Sequence, residues 1–206
     1  MDTLDHIILA TANLEDGCAW FEERTGVTPK FGGKHTDGQT QNAIAALGPR
    51  CYLEILAPQP GADLSDPWTG YCARSVVPRL MTWCLSPKSP LSALSVAAQR
   101  AGLGETDTYP GGRVTPEGQE LEWTLLAPSD GALGFALPFF IHWGGAHHPA
   151  DTAPGGADFK AFSVLHPKGE LLNRYLIALG QEAIASPADA PRFTLTLETP
   201  KGVVTL

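Results

Sequence analysis

The chain has 206 residues, of which 43% are hydrophobic and 17% are charged, and its formal net charge is −8. This composition is typical of a globular protein with a substantial core, and it argues against disorder. The chain has no basic run, which makes nucleic acids and anionic membrane surfaces poor candidate partners. The N-terminus lacks the features of a signal peptide, and the most apolar run, residues 131–143, is too short to span a bilayer. We therefore expect a soluble, cytoplasmic protein.

Four cysteines are present, and no two of them form a C-x-x-C pair. They are Cys18, Cys51, Cys72 and Cys84. In a reducing compartment, cysteines in this pattern act as small buried hydrophobic residues more often than as disulfides or zinc ligands.

Residues 1–57 predict a β-α-β-β-β unit. The apolar run at 4–11 is typical of a buried strand, and Asn13 and Gly26 are suited to begin and end a helix. A polar, glycine-rich segment at 30–42 then crosses between strands. Two short apolar runs around a Gly-Pro turn, within residues 43–56, predict a hairpin.

Residues 58–79 are rich in proline and glycine and predict a linker, with a short helical turn near residues 68–75. A second β-α-β-β-β unit is expected at 80–144. Its helix ends at Gly102, and its later strands lie at 121–126 and 133–143. The Gly111-Gly112-Arg113 tripeptide is typical of an ordinary turn.

A second linker is predicted at 145–158, where His147 and His148 are expected to be solvated, and a partial β-α-β-β unit is predicted at 159–206. The glycines that end the three helices are Gly26, Gly102 and Gly180, and they lie 76 and 78 residues apart. A nearly constant period of this length indicates a repeated supersecondary unit. The fold class is therefore α+β, in one domain.

Four segments resemble the vicinal oxygen chelate superfamily, and in particular its glyoxalase-like branch. They are Leu4-Asp5-His6-Ile7, the glycine-rich crossing at 33–42, Tyr52-Leu53-Glu54, and residues 137–143. The resemblance implies that paired β-α-β-β-β modules curl into a half-open barrel around a cavity. It also implies that side chains from the first and fourth strands of each module hold a divalent metal.

Mapped onto this chain, the resemblance implies three metal ligands, His6, Glu54 and His142. His142 follows from aligning residues 140–142 on 52–54. The counterpart of His6 in the second unit is Thr82, a poor ligand that departs from the family pattern. Two imidazoles and one carboxylate leave positions open for substrate, as a catalytic Zn, Fe, Mn or Ni site requires.

Further cavity positions follow from the same mapping. We expect catalytic roles for Glu54 and His35. Substrate contacts are expected at four more positions, Asn42, Tyr52, Thr82 and Trp83. Each candidate also has an ordinary structural interpretation, such as a hydrogen-bonded core histidine for His6 or a core aromatic residue for Trp83.

The leading hypothesis is a metal-dependent lyase, isomerase or dioxygenase that acts on a small oxygen-bearing organic substrate. The chain has no phosphate-binding loop, no dinucleotide-binding glycine motif and no serine-hydrolase motif. The alternatives are a metal-free protein that binds or sequesters a small molecule, and an interaction protein with a degenerate cavity. The sequence leaves open whether the modules pair within one chain or across a homodimer.

Overall fold

Residues 3–58 form the first of two related modules. The computed structural model describes residues 3–206, and residues 1 and 2, where the predicted first unit begins, lie outside the described part. The elements of the first module are β1 (Thr3–Ala10), α1 (Leu14–Thr25), β2 (Lys30–His35), β3 (Thr40–Gly48) and β4 (Cys51–Pro58). Part of the predicted glycine-rich crossing is therefore strand.

The second module follows a short helix in the first predicted linker. Its elements are α2 (Pro67–Arg74), β5 (Arg79–Ser86), α3 (Leu91–Arg100), β6 (Thr108–Val114), β7 (Glu120–Leu126) and β8 (Phe139–His142). Two expectations need correction here. The predicted turn at 111–113 lies within β6, and the predicted strand at 133–143 begins only at Phe139. This strand starts late because residues Gly134–Ala136 form a turn of 3-10 helix, in which Gly134 has a φ of 50°.

The third unit adds a separate four-stranded sheet. Its elements are β9 (Asp158–His166), α4 (Gly169–Ala178), β10 (Ala185–Pro187), β11 (Arg192–Thr199) and β12 (Gly202–Thr205). The strand order is β10-β9-β11-β12. The short β10 is an addition to the predicted β-α-β-β pattern.

Eight strands close into one barrel in the order β1-β4-β3-β2-β6-β7-β8-β5. The modules are joined by antiparallel pairing of β1 with β5 and of β2 with β6. The β2–β6 joint consists of the pairs Lys34 with Val114 and His35 with Arg113. Both halves of the barrel therefore come from the same chain, and the predicted α+β class with repeated modules is confirmed.

The glycines that mark the repeat adopt the same backbone conformation. Gly26, Gly102 and Gly180 have φ angles of 76°, 79° and 77°, in the left-handed region that favours glycine after a helix. The 76- and 78-residue period in the sequence therefore corresponds to a repeated helix end.

Alternation along the strands separates two hydrophobic clusters. The outer cluster includes Ile7 and Leu53 from the first module and Leu176 and Leu195 from the third unit. The inner cluster lies inside the barrel. It includes Ile8, the residue that follows Ile7 on β1. Successive side chains of a strand point to opposite faces, so one strand contributes to both clusters. No helix in residues 3–206 is long and apolar enough to cross a membrane.

Because the third unit shares the outer cluster with the barrel, we expect the protein to unfold in one transition. Substitution of the fully buried Leu176 by alanine should destabilise the whole protein by about 2–5 kcal/mol. The matched control is Ile177→Ala on the same helix, since Ile177 is 62% exposed. Urea unfolding followed by circular dichroism and tryptophan fluorescence measures both. Separate transitions for the two probes would contradict a shared core.

The four cysteines are free thiols, and we expect them to react slowly in the native protein. Burial raises the pKa of Cys18 to about 11 and those of Cys51 and Cys72 to about 12, and it also raises that of Cys84. At pH 8 the thiolate of Cys18 is then roughly one part in a thousand. Iodoacetamide labelling followed by mass spectrometry should show slow modification, fastest at Cys18, and rapid labelling of all four after unfolding. Native labelling as fast as that of free cysteine would contradict this.

Candidate functional site

The barrel encloses a cavity of about 410 Å³. Its polar side is formed mainly by the first module, whereas β7, β8 and α2 provide a largely aromatic wall. The polar lining includes His6, His35, Asn42, Tyr52, Glu54 and Arg113. The aromatic lining includes Trp68, Trp123, Phe139 and Trp143. A cavity of this size with a few convergent polar groups is suited to a small organic ligand.

Strand register places His6 and Glu54 in the same cavity. β1 and β4 run parallel, with His6 opposite Tyr52 and Ile8 opposite Glu54. The His6 ring stacks on the Tyr52 ring at 4.7 Å and meets the edge of Phe139 at 5.3 Å. Only 3% of His6 and 5% of Glu54 is exposed, so both polar side chains are held in a largely desolvated wall.

The fully buried carboxylate of Asp5 fixes the orientation of the His6 ring, on the side of the ring that faces away from Glu54. Asp5 Oδ1 lies 2.8 Å from His6 Nδ1, Asp5 Oδ2 accepts a hydrogen bond from Trp143 Nε1 at 3.0 Å, and the same oxygen lies 3.2 Å from His148 Nε2. Burial opposes ionisation, but the hydrogen bonds with His148 and His6 outweigh it and hold the pKa of Asp5 well below its ordinary value. An ionised carboxylate only accepts hydrogen bonds, so His6 Nδ1 carries a proton, and in the neutral form of the ring the lone pair lies on Nε2, which faces the cavity.

His148 is a residue of this site that the sequence analysis placed in solvent. Only 1% of it is exposed, and its Nδ1 accepts a hydrogen bond from the Ala150 backbone N–H at 3.2 Å. The neighbouring His147 is exposed, as expected. The 145–158 segment returns to the barrel and brings His148 onto Asp5, a contact across 143 residues that local composition does not indicate.

The Glu54 carboxylate lies between two imidazoles and an amide. Its Oε2 is 3.5 Å from His6 Nε2, and its Oε1 is 3.7 Å from His35 Nε2. Asn42 Nδ2 donates a hydrogen bond of 2.5 Å to Oε1. The structure therefore brings together four of the predicted site residues, His6, His35, Asn42 and Glu54, with Tyr52 against the His6 ring.

His35 is held with one ring nitrogen toward a hydroxyl and the other toward Glu54. Its Nδ1 lies 2.6 Å from Thr40 Oγ1. Desolvation lowers the pKa of His35 below its ordinary value, although the Glu54 carboxylate acts in the opposite direction. The ring is therefore neutral at neutral pH, the form that is able to accept a proton or bind a metal.

Arg113 is a cavity residue that the sequence analysis missed because its tripeptide is typical of a turn. It lies in β6 directly opposite His35, and its Nη1 donates to Asn42 Oδ1 at 3.0 Å. At Gly32, a side chain would overlap Asn42 Oδ1 and lie 2.7 Å from Arg113 Nη1. The local sequence carries no signal for this contact, because it joins residues 71 positions apart.

His142, the predicted third metal ligand, does not belong to the cavity. Ile141 and Trp143 line it, whereas His142 is exposed on the opposite face and accepts a hydrogen bond from the Gly144 N–H at 3.2 Å. In the first module, Ile8 of β1 pairs with Glu54 of β4. At the equivalent place in the second module, Cys84 of β5 pairs with Phe139 of β8. The counterpart of Glu54 is therefore Phe139, and the alignment that selected His142 was out of register by three residues.

Two predicted substrate contacts also need correction, because neither Thr82 nor Trp83 lines the cavity. Thr82 Oγ1 faces the Leu137 carbonyl oxygen at 3.4 Å. Trp83 belongs to the outer cluster, where its Nε1 donates to the Ala136 carbonyl at 3.0 Å and its ring lies 5.7 Å from that of Phe162. The prediction of Trp83 failed because it was taken to share the cavity face, and adjacent strand residues alternate.

Two groups of side chains offer ligand atoms for a metal ion, one at Asp5 and one around Glu54. Ligand atoms of Asp5, His6 and Cys84 lie within 4.8 Å of one another. However, both Asp5 oxygens are engaged, and burial raises the pKa of the Cys84 thiol well above its ordinary value, which opposes formation of a thiolate. Around Glu54 the His6 nitrogen is oriented by a carboxylate, as metal-binding histidines usually are. Two ligands of one tetrahedral ion lie about 3.4 Å apart, close to the 3.5 Å between His6 Nε2 and Glu54 Oε2.

Comparisons with known proteins agree with this architecture. A hypothetical protein from Staphylococcus aureus has a TM-score of 0.72 at 13% identity, with 100% of this chain and 98% of that chain covered. Methylmalonyl-CoA epimerase from Mycobacterium tuberculosis is 20% identical with a TM-score of 0.46, covering 67% of this chain and 85% of its own. The Streptomyces coelicolor epimerase is 15% identical with a TM-score of 0.48, covering 71% and 98%.

No curated protein matches the chain in sequence. A family model described as glyoxalase-like domain matches residues 4–180, well over half of the chain. This match confirms the resemblance inferred from the sequence. The chain therefore belongs to the glyoxalase-like domain family.

Proposed function

We propose that the protein is an enzyme that binds a divalent metal ion at His6 and Glu54 and transfers a proton on a small oxygen-bearing organic molecule. The reaction class is that of a lyase or isomerase. The observation that carries the proposal is the contact between His6 Nε2 and Glu54 Oε2, at 3.5 Å inside a desolvated wall. Asp5 leaves a lone pair on His6 Nε2, and a lone pair that faces a carboxylate is unfavourable unless a cation or a proton lies between them.

The donor set suits a catalytic metal rather than a structural one. His6 and Glu54 supply one imidazole and one carboxylate, and His35 Nε2 faces the second Glu54 oxygen at 3.7 Å. Two protein ligands, His6 and Glu54, leave the remaining positions for water or substrate oxygens, and they leave His35 free to act as a base. A bound metal would supply Lewis acidity toward a carbonyl or an enolate oxygen.

The side chains around the donors have separate roles in this proposal. His35 is neutral, and its Nε2 accepts the proton that leaves the substrate. Asn42 holds the Glu54 carboxylate in position through its 2.5 Å hydrogen bond. The aromatic wall, with Trp123 edge-on to His35 at 5.8 Å, excludes water from the reacting groups.

A second candidate function is metal-free binding of a small molecule, and one observation favours it. In the second module, the positions where the resemblance implies metal ligands hold Thr82, which is a poor ligand, and Phe139, which belongs to the inner cluster. Half of the expected donor set therefore lacks a good metal ligand. A metal-free binder requires only the shape and polarity of the cavity.

Metal analysis of protein purified without a metal-binding tag tests the proposal. We expect roughly one equivalent of a divalent transition metal in the wild type, and a loss of at least about tenfold in metal affinity for His6→Ala and for Glu54→Gln. The matched control is His142→Ala, because His142 is exposed outside the cavity and the variant should retain its metal. Absence of metal uptake together with an unchanged melting temperature on adding Zn²⁺, Mn²⁺, Fe²⁺ or Ni²⁺ would refute the proposal and favour the metal-free binder.

Asp5→Asn tests whether the Asp5 carboxylate strengthens metal binding by His6. Removing the carboxylate charge should weaken metal affinity by about 10–100-fold, because the Nδ1 partner sets the tautomer and basicity of a ligating histidine. Asp151→Asn is the control with the same charge change, since Asp151 is exposed in the same region as His148. Titration with a competing chelator measures both affinities, and circular dichroism checks the fold. Equal affinities for the two variants would show that Asp5 has only a structural role.

A further inference from the structure

Arg113 places a positive charge in the wall of the cavity without a carboxylate partner. Only 4% of the residue is exposed, and no ion pair to it occurs among residues 3–206. Its recorded hydrogen bond goes to the neutral amide oxygen of Asn42, and its Nε has no partner. A buried charge that lacks a countercharge is costly, so this arrangement calls for an anion from outside the chain.

The surrounding backbone is shaped to hold this guanidinium. Gly32 leaves the space in which Arg113 Nη1 meets Asn42 Oδ1. Gly33 has a φ of 140°, and a side chain there would overlap the Val114 carbonyl oxygen and lie 3.0 Å from Arg113 Cγ. Two consecutive glycines therefore allow the arginine to lie at the β2–β6 joint, directly opposite His35.

We infer that Arg113 binds the carboxylate of the substrate, so that the substrate class is a small monocarboxylic acid with an apolar body. This inference rests on the proposed function in that it assigns a substrate to the same cavity. The guanidinium presents N–H donors in a planar fork that matches a carboxylate. The apolar body would lie against the opposite wall, which includes Trp123, Leu125, Phe139 and Ile141.

The charge distribution favours a monoanion over a phosphate dianion. Asn42 accepts from Arg113 through Oδ1 and donates to Glu54 through Nδ2, so the two charged groups share one amide. An anion on Arg113 therefore lies near the negative charge of Glu54. For a dianion, the attraction to Arg113 and the repulsion from Glu54 both double, but the cost of desolvating the ion rises with the square of its charge, so burial favours the monoanion.

Calorimetric binding to the full chain, with and without added Zn²⁺, tests the inference. The probes are phenylacetate and 4-methylpentanoate, each compared with its neutral amide, and phenyl phosphate as the phosphate source. We expect each acid to bind at least about tenfold more tightly than its amide. Phenyl phosphate should bind more weakly than phenylacetate.

Three variants test whether the preference for acids over amides depends on Arg113. Arg113→Met removes the charge at similar length and should abolish the preference for acids, and Arg113→Lys should restore part of it. Lys34→Met is the control with the same change in net charge, because Lys34 lies in the same joint on β2 but its side chain is exposed and does not line the cavity. Circular dichroism and metal content are measured for each variant. If Arg113→Met proves to be misfolded, Arg113→Lys still shows whether the preference for acids depends on the charge at this position.

The outcomes separate this inference from the proposed function. Acid selectivity that disappears in Arg113→Met and persists in Lys34→Met supports the inference. Equal binding of acids and amides by a metal-containing wild type overturns it and leaves the proposed function standing. Acid selectivity through Arg113 in a protein that takes up no metal supports carboxylate recognition and refutes the metal enzyme. Tighter binding of phenyl phosphate overturns the assignment to carboxylic acids.

Discussion

The buried carboxylate of Asp5 is the group on which the rest of the site depends. It contacts its neighbour His6 on β1 and two side chains from a distant part of the chain, Trp143 after β8 and His148 in the segment before β9. An ionised group in this position is tolerated only because each oxygen has a hydrogen-bond partner. The same interactions that stabilise the charge also connect β1 to the segment that leads into the third unit, and they orient the His6 ring toward the cavity.

The two modules share a topology but contribute different chemistry. Strands β1 to β4 provide His6, His35, Asn42 and Glu54, whereas β7 and β8 provide mainly aromatic and aliphatic surface. The exception is Arg113 on β6, which enters the polar side through the joint between β2 and β6. The cavity is therefore polar along one arc of the barrel and apolar along the other, an arrangement that would orient a ligand with one polar end.

The sequence was sufficient where local patterns determine structure. Asn13 and Gly26 delimit α1 as expected, with the Asn13 side chain accepting from the Asp16 N–H, and the repeated glycines identified the duplicated module. His6 and Glu54 were paired through the family resemblance, and the strands that carry them, β1 and β4, were recognisable from their apolar runs. Periodicity of this kind survives in the folded chain because it reflects burial on one face of a strand.

The errors arose where the answer depends on register or on distant contacts. His142 was misplaced because a shift of an odd number of residues along a strand exchanges its two faces. Trp83 was misplaced because adjacent residues of a strand point to opposite faces. His148 and Arg113 lie in segments whose composition is typical of loops, and their burial results from the return of the chain to the barrel. Such contacts are tertiary, and no window of neighbouring residues contains the information that specifies them.

The separation of the two arcs has a consequence for the range of ligands that such a barrel can hold. Leu125 and Ile141 line the cavity but make no polar contact with the Asp5–His6–Glu54 group. Volume changes at these two positions would reshape the ligand space while the polar arc keeps its hydrogen bonds. The shape of the ligand and the chemistry performed on it are therefore set by different side chains.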